Sequence, residues 1–344
     1  MPNDAHTALT YPYLKPEVSA SIKSVAEDFR VCENLGFELK GSGEHLFLYV
    51  QKRELTTPQL IDELAKSVGM QARNIGYSGL KDKRAVTQQW ISLHLPGKKM
   101  PALTDTSEYQ ILQTKWHDKK LRVGVHRSNS FDIILRNVEG DVDRLVQTVE
   151  EIRKLGFANY FGVQRFGQKQ DNVSQALRAL SSGHRKKRLS RHKKSLFLSA
   201  LRSEVFNRIL CARIERGLWH EPIQGDIFML AGSQSLFNAD LDEDILARHV
   251  QFDIHSALGL FGCGESRITG RAGEIEAEVI DAFPDIRDTL IGNDIKRSYR
   301  ASRAVPEALS ISYQPQQKLL NLKVELGKGV YLTTLLEHCL SHID

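Results

Sequence analysis

A chain of 344 residues is long enough for about two domains, each with its own core, so neither a disulfide nor a structural metal is needed for folding. Hydrophobic residues at 41% and charged residues at 26% exclude wholesale disorder, and the length excludes a minimal binding motif. The 47 Lys and Arg against 42 Asp and Glu leave a formal charge of +5, which permits nucleic-acid or anionic-membrane partners without selecting either.

In chain order, DFRVCENLG (residues 28–36) and EHLFLYVQKR (44–53) read as neighbouring strands, joined by a flexible turn through the glycines of ELKGSG. TTPQLIDELAKSVGM follows as an amphipathic helix, with Thr57 as N-cap, Pro58 at N1 and Leu60, Ile61, Leu64 and Val68 at helical spacing. AVTQQWISLHL, YQILQTKW and SFDIILRNV are strand candidates, the last placing Phe131, Ile133 and Leu135 on one side. Together these predict an α/β or α+β sheet domain. DVDRLVQTVEEIRKLG carries Val142, Leu145, Val149 and Ile152 along a helical stripe that stops near Gly156. The middle is more helical, notably SLFLSALRSEVFNRILCARIERG, and reads as a separate helical insertion. QKLLNLKVELGKG then predicts a strand and turn, and VYLTTLLEHCLSH a helix, so the C-terminal segment is expected to return to the first domain.

Three segments carry candidate chemistry. In NIGYSGLKDKRAVTQQW (74–90), Asp82 stands among Lys81, Lys83 and Arg84 in a glycine-containing turn before a strand. It is either a carboxylate facing a pocket or a charged surface turn. In RVGVHRSNSFDIILRNV (122–138), Asn129 and Phe131 share a strand face, where a polar group and a ring can meet one flat heterocycle; core packing of Phe131 and capping by Asn129 fit equally. In FANYFGVQRFG (157–167), Arg165 could reach an anionic ligand or belong to an interdomain wedge. Shortly after, Arg185, Lys186, Lys187, Arg188, Arg191, Lys193 and Lys194 cluster without an intervening acid, as a phosphate-contacting patch or a solvated positive face.

Other chemistries lack their patterns. GSGEHLF and FGCGESRITG complete neither a P-loop nor a dinucleotide fingerprint, no H-E-x-x-H occurs, and no G-x-S-x-G elbow is present. The expectation is therefore no cofactor and no metal. Cys32, Cys211, Cys263 and Cys339 are scattered and read as reduced thiols. The opening MPNDAHTALTYPYL is unlike a signal segment, and no apolar run reaches about 18 residues. A cytoplasmic protein without a membrane partner is expected.

GLKDKRAVTQ (79–88) and NYFGVQRFG (159–167), with DFRVCE, SNSF and the C-terminal strand-to-helix pattern, make the chain resemble the TruD family of tRNA pseudouridine synthases over most of its length. The resemblance implies a pseudouridine-synthase catalytic domain with a mixed sheet, at residues 1–156 plus 306–344, interrupted by a helix-rich TruD-specific insertion at 157–305. It implies isomerisation of uridine to pseudouridine, at tRNA position 13, with tRNA as partner and a monomeric chain. By the same resemblance Asp82 is the catalytic aspartate, Asn129 and Phe131 contact the base, and Lys23, the lysine preceding DFRV, is the basic partner of Asp82. Another base-flipping RNA-modifying enzyme, such as a methyltransferase, and a noncatalytic tRNA-binding or folding protein are the alternatives.

Overall fold

The computed structural model describes residues 9–97, 99–167, 169–181 and 189–344. The chain first builds β1 (Val18–Ser21), β2 (Phe29–Asn34), β3 (His45–Arg53), α1 (Thr57–Ser67), β4 (Ile75–Tyr77), β5 (Val86–His94), β6 (Tyr109–His117) and β7 (Ser128–Gly140). α2 (Val142–Leu155) and β8 (Phe157–Ala158) lead into α3 (Asn172–Leu180), α4 (Arg191–Glu215), β9 (Ile227–Leu230), β10 (Leu236–Asn238), α5 (Glu243–Val250), β11 (Ile254–Leu260), α6 (Gly270–Asp281), α7 (Pro284–Gly292), β12 (Ser298–Ala301) and β13 (Arg303–Ala304). β14 (Glu307–Gln314), β15 (Leu319–Gly327), α8 (Leu332–Cys339) and β16 (His342–Ile343) complete it.

The chain divides into two compact units: residues 16–150, 306–330 and 339–344 form a sheet unit, and residues 1–15, 151–305 and 331–338 form a second unit. Among the described residues the sheet runs β14-β15-β7-β2-β5-β3-β6, with β4 on β5 and β1 bridging β7 and β16. The β2–β5 and β1–β16 pairs are parallel and the other pairs antiparallel, so the sheet is mixed as expected. β2 and β3 are not neighbours, however. β5 lies between them, parallel to β2 and antiparallel to β3. Alternation on β3 turns Leu46, Leu48 and Val50 toward Leu60, Ile61 and Leu64 of α1, which makes the main apolar layer of this unit.

The cap of α1 is one residue earlier than predicted: Thr56 accepts from the Gln59 N–H while Gln59 bonds back, a capping box, and Pro58 lies inside the first turn. Thr57 is instead buried, its hydroxyl donating to Gln89 and accepting from the Lys81 N–H.

The second unit is helix-rich, with Phe197, Leu201, Val205, Phe206 and Ile209 of α4 at the centre of its core. It also holds an antiparallel sheet, β10-β9-β11-β12, in a region whose sequence predicts a helical insertion. The unit boundaries differ from the expected 1–156 plus 306–344 division. Residues before Pro16 and within α8 pack with the second unit, tied to it by hydrogen bonds: Tyr160 donates to the Thr10 carbonyl at 2.6 Å, Tyr13 to the Gly156 carbonyl at 2.6 Å, and the Ala158 N–H to His338 Nε2 at 3.2 Å. No helix among the described residues is long and apolar enough to cross a membrane.

Candidate functional site

Strand register collects the chemistry of the sheet unit on one face. β-Bridge partners project to the same side. Phe131 on β7 lies opposite Val324 on β15 and Val31 on β2, Val31 opposite Thr87 on β5, and Thr87 opposite Lys52 on β3. One row further along, Asn129 stands opposite Glu33. Asn129, Phe131, Glu33, Thr87 and Lys52 therefore share a face, although 33 to 131 spans more than a quarter of the chain.

The turn between β4 and β5, residues 78–85, lies over this face and is tied to it at several atoms. Lys81 Nζ donates to Glu33 Oε2 at 2.5 Å in a pair that is 6% and 0% exposed, and Glu33 Oε1 also accepts from the Trp90 N–H. Lys52 Nζ donates to the carbonyls of Leu55 at 2.5 Å and Asp82 at 2.7 Å. Gln89 Nε2 reaches the Gly79 carbonyl at 3.3 Å. At Gly76, entering the turn, a Cβ would stand 2.3 Å from the Leu121 carbonyl oxygen, so only glycine permits this close approach.

With its backbone held, Asp82 leaves its side chain 47% exposed and bonded to Lys23, Nζ to Oδ2 2.5 Å. Lys23 takes a left-handed backbone, φ 57°, in the segment between β1 and β2, and its ammonium lies 4.1 Å from the centre of the Phe29 ring. Phe29 meets Phe131 edge to face at 6.3 Å. The segment carrying Lys23 is fixed by Asp28, which accepts from the Val25 N–H and takes both Nε and Nη2 of Arg136 at 2.7 Å. Arg136 holds the Asp28 carboxyl below its ordinary range.

Asn129 is oriented from behind. His126 Nδ1 lies 2.7 Å from Ser78 Oγ, and Asn129 Nδ2 lies 3.3 Å from His126 Nε2. Burial lowers the His126 pKa, favouring a neutral ring. With Nδ1 donating to Ser78 Oγ, Nε2 accepts from Asn129, and Asn129 Oδ1 is left as a buried acceptor without a protein partner among the described residues.

The structure thus brings Lys23, Asp82, Asn129 and Phe131 together in the sheet unit. Arg165 belongs to the second unit, where it donates to Ser199 Oγ at 2.9 Å and Tyr331 Oη at 2.8 Å and lies 5.1 Å from the Phe161 ring centre. Arg191, Lys193 and Lys194 lie exposed in the first turn of α4, whereas Arg185, Lys186, Lys187 and Arg188 fall outside the described residues. Sequence reasoning missed Glu33, Lys52, Thr57, Ser78 and His126. Glu33 and Lys52 had a signal: each is a charge on the apolar phase of its strand, after Phe29 and Val31 in one case and Leu46, Leu48 and Val50 in the other.

A family model described as tRNA pseudouridine synthase D (TruD) matches residues 7–187 and 171–339. The chain is 39% identical over 318 residues to tRNA pseudouridine synthase D of Methylococcus capsulatus, covering 92% of this chain and 89% of that one. It is 35% identical over 339 residues to the protein of the same name from Hydrogenovibrio crunogenus, covering 98% and 97%. Its fold matches the crystal structure of a candidate tRNA pseudouridine synthase D (TruD) from Methanosarcina mazei with a TM-score of 0.72 at 20% identity, over 96% of this chain and 95% of that one.

Proposed function

The chain belongs to the TruD family of tRNA pseudouridine synthases, and from that membership we propose that it isomerises uridine to pseudouridine at position 13 of tRNA, with Asp82 as the catalytic residue. The observation that carries this reading is the half-exposed Asp82 carboxylate, anchored through its own backbone and held by Lys23, whose ammonium lies over the Phe29 ring that meets Phe131. A carboxylate fixed in this way needs little reorganisation when a ribose meets it.

The target uridine leaves its stack to enter the site, since C1′ and C5 are inaccessible within a folded stem. Phe131 stacks on the uracil, and Asn129, held by His126, helps orient its polar edge. Asp82 promotes departure of uracil from C1′, breaking the N1–C1′ bond. The base turns within the site, a C5–C1′ bond forms, and the C5 proton is lost while N1 gains one. Substrate and product contain the same atoms, so the reaction consumes no redox partner. Lys23 holds the carboxylate in place throughout.

In this reading the sheet unit is the catalytic domain and the second unit is the family's insertion, which supplies phosphate contacts through Arg165 and the basic run up to Lys194. The chain acts as a monomer in the cytoplasm, where unmodified tRNA is available. Incubation of the purified protein with unmodified tRNA, followed by mapping of pseudouridine, tests the proposal. Pseudouridine at position 13 is the expected product. A different modified nucleotide would point to another base-flipping enzyme, and tight binding without modification to a noncatalytic tRNA-binding protein.

A further inference from the structure

The Lys52 side chain is 0% exposed and occupies the β3 position that alternation assigns to the apolar layer, after Leu46, Leu48 and Val50. Burying an ammonium there is unfavourable unless its donors are satisfied. They are satisfied by main-chain oxygens: Leu55 at 2.5 Å, Asp82 at 2.7 Å and, at longer range, Lys81 at 3.5 Å. No carboxylate lies within ion-pairing distance of it among the described residues. Leu55 immediately precedes the N-cap of α1, so one cation ties the start of that helix to the turn that carries Asp82.

We propose that Lys52 is a positioning residue of this site, which holds the Asp82 turn through its backbone and does so only while it is an ammonium. The proposal rests on Asp82 carrying the reaction. An ammonium has three N–H donors for three carbonyls, whereas a neutral amine has two donors and turns a lone pair toward the third oxygen. A neutral plug of equal volume would fill the space without holding the turn.

The charged groups facing Lys52 are Asp82 and Lys81 from the turn, with Glu33 of β2 paired to Lys81 and Lys23 paired to Asp82. Burial pulls the Lys52 pKa down to about 8, with Lys81 adding to the fall and Asp82 opposing it. The turn should therefore loosen as the solution becomes mildly alkaline.

The test uses the full chain, with two readouts: amide hydrogen exchange of residues 79–85, corrected for intrinsic base catalysis, and single-turnover pseudouridine formation on unmodified tRNA. In the wild type, exchange of the turn should quicken about tenfold or more between about pH 7 and about pH 9.5, and the rate should fall over the same range. In Lys52→Met the turn should exchange fast at every pH, the neutral-pH rate should be about 10–100-fold lower, and the alkaline fall should vanish, with tRNA affinity within about threefold. A Lys52→Met protein with wild-type rate and wild-type exchange overturns the proposal. So does a wild-type turn whose protection is flat across that range, which decides the matter even if the variant does not fold. A wild type that forms no pseudouridine counts against the functional reading instead, and the exchange measurement still judges Lys52.

Discussion

Asp82 and Phe131 differ in what their removal should do, because the proposed mechanism gives one the reaction and the other a contact with the base. Replacing Asp82 with Asn keeps the side-chain shape and the backbone bonds to Lys52 but removes the charge that Lys23 grips. Product formation should fall below detection while tRNA affinity stays within about threefold, since phosphate contacts generally supply most of a protein's affinity for nucleic acid. Pseudouridine appearing at near wild-type rate would remove Asp82 from its assigned role. Phe131 is only half-buried, and it meets the Phe29 ring edge to face. Base stacking is worth about 1–3 kcal/mol, so Phe131→Ala should slow single-turnover isomerisation by about 10–100-fold with little change in thermal stability. A folded variant with an unchanged rate, or one whose main defect is a large drop in melting temperature, would return Phe131 to the core-packing role its strand alternation equally allows.

At the scale of elements, what could be read from sequence was local, and what could not was pairing. Alternation in SFDIILRNV put Phe131, Ile133 and Leu135 on one side, as β7 has them. Nothing in DFRVCE or EHLFLYVQKR announced that β5, some 33 residues beyond β3, would insert between their strands, because register is fixed by residues distant in the chain. The same limit hid the support of the site: Thr57 and His126 are ordinary polar residues until the fold sets them against the turn, where they meet the Lys81 N–H and the Ser78 hydroxyl. Adjacent threonines allowed two caps for α1, and the fold uses Thr56 as cap and Thr57 as a buried bridge. The small sheet of the second unit escaped because β9, β10 and β12 are only three or four residues long. In that unit Glu276 of α6 lies under β11, accepting from the Gly259 N–H at 2.6 Å, with Arg297 4.0 Å away. Burial raises its carboxyl from 4.5 to about 7. Between those values the native state binds a proton that the unfolded chain has lost, so this group makes stability fall as pH rises through that window. Glu276→Gln keeps an acceptor for Gly259 and removes the titration, so it should melt above the wild type at pH values over 7, the gap closing toward pH 5. A variant that melts lower at every pH would mean that attraction to Arg297 outweighs the burial cost.

For the whole molecule, the question is what a net charge of +5 is for, and α4 offers a place to ask it. Its first turn holds Arg191, Lys193 and Lys194 and no acid, although the positive end of a helix dipole disfavours cations by about 0.3–1 kcal/mol each. Folding alone would favour Asp or Glu at those positions. Lys193 recovers part of that loss by lying 5.4 Å from the Phe197 ring centre, but Arg191 and Lys194 are exposed, and under the proposed function tRNA phosphates would offset their placement. Changing Arg191 and Lys194 together to Gln should therefore separate binding from stability. The helix should melt at the wild-type temperature or slightly above it, because two charges opposed to the dipole are gone. tRNA affinity should weaken, most at low ionic strength, and the slope of log affinity against log salt should become shallower by up to about 0.9 for each phosphate that the variant no longer neutralises. Single-turnover isomerisation at saturating tRNA should stay within about threefold, since Asp82 and its supports lie in the sheet unit. Extending the change to Arg185, Lys187 and Arg188 should deepen the same loss without adding a catalytic defect. Unchanged affinity and slope would make this turn a solvated positive face, and a rate that collapses at saturation would give it a part in assembling the reactive complex.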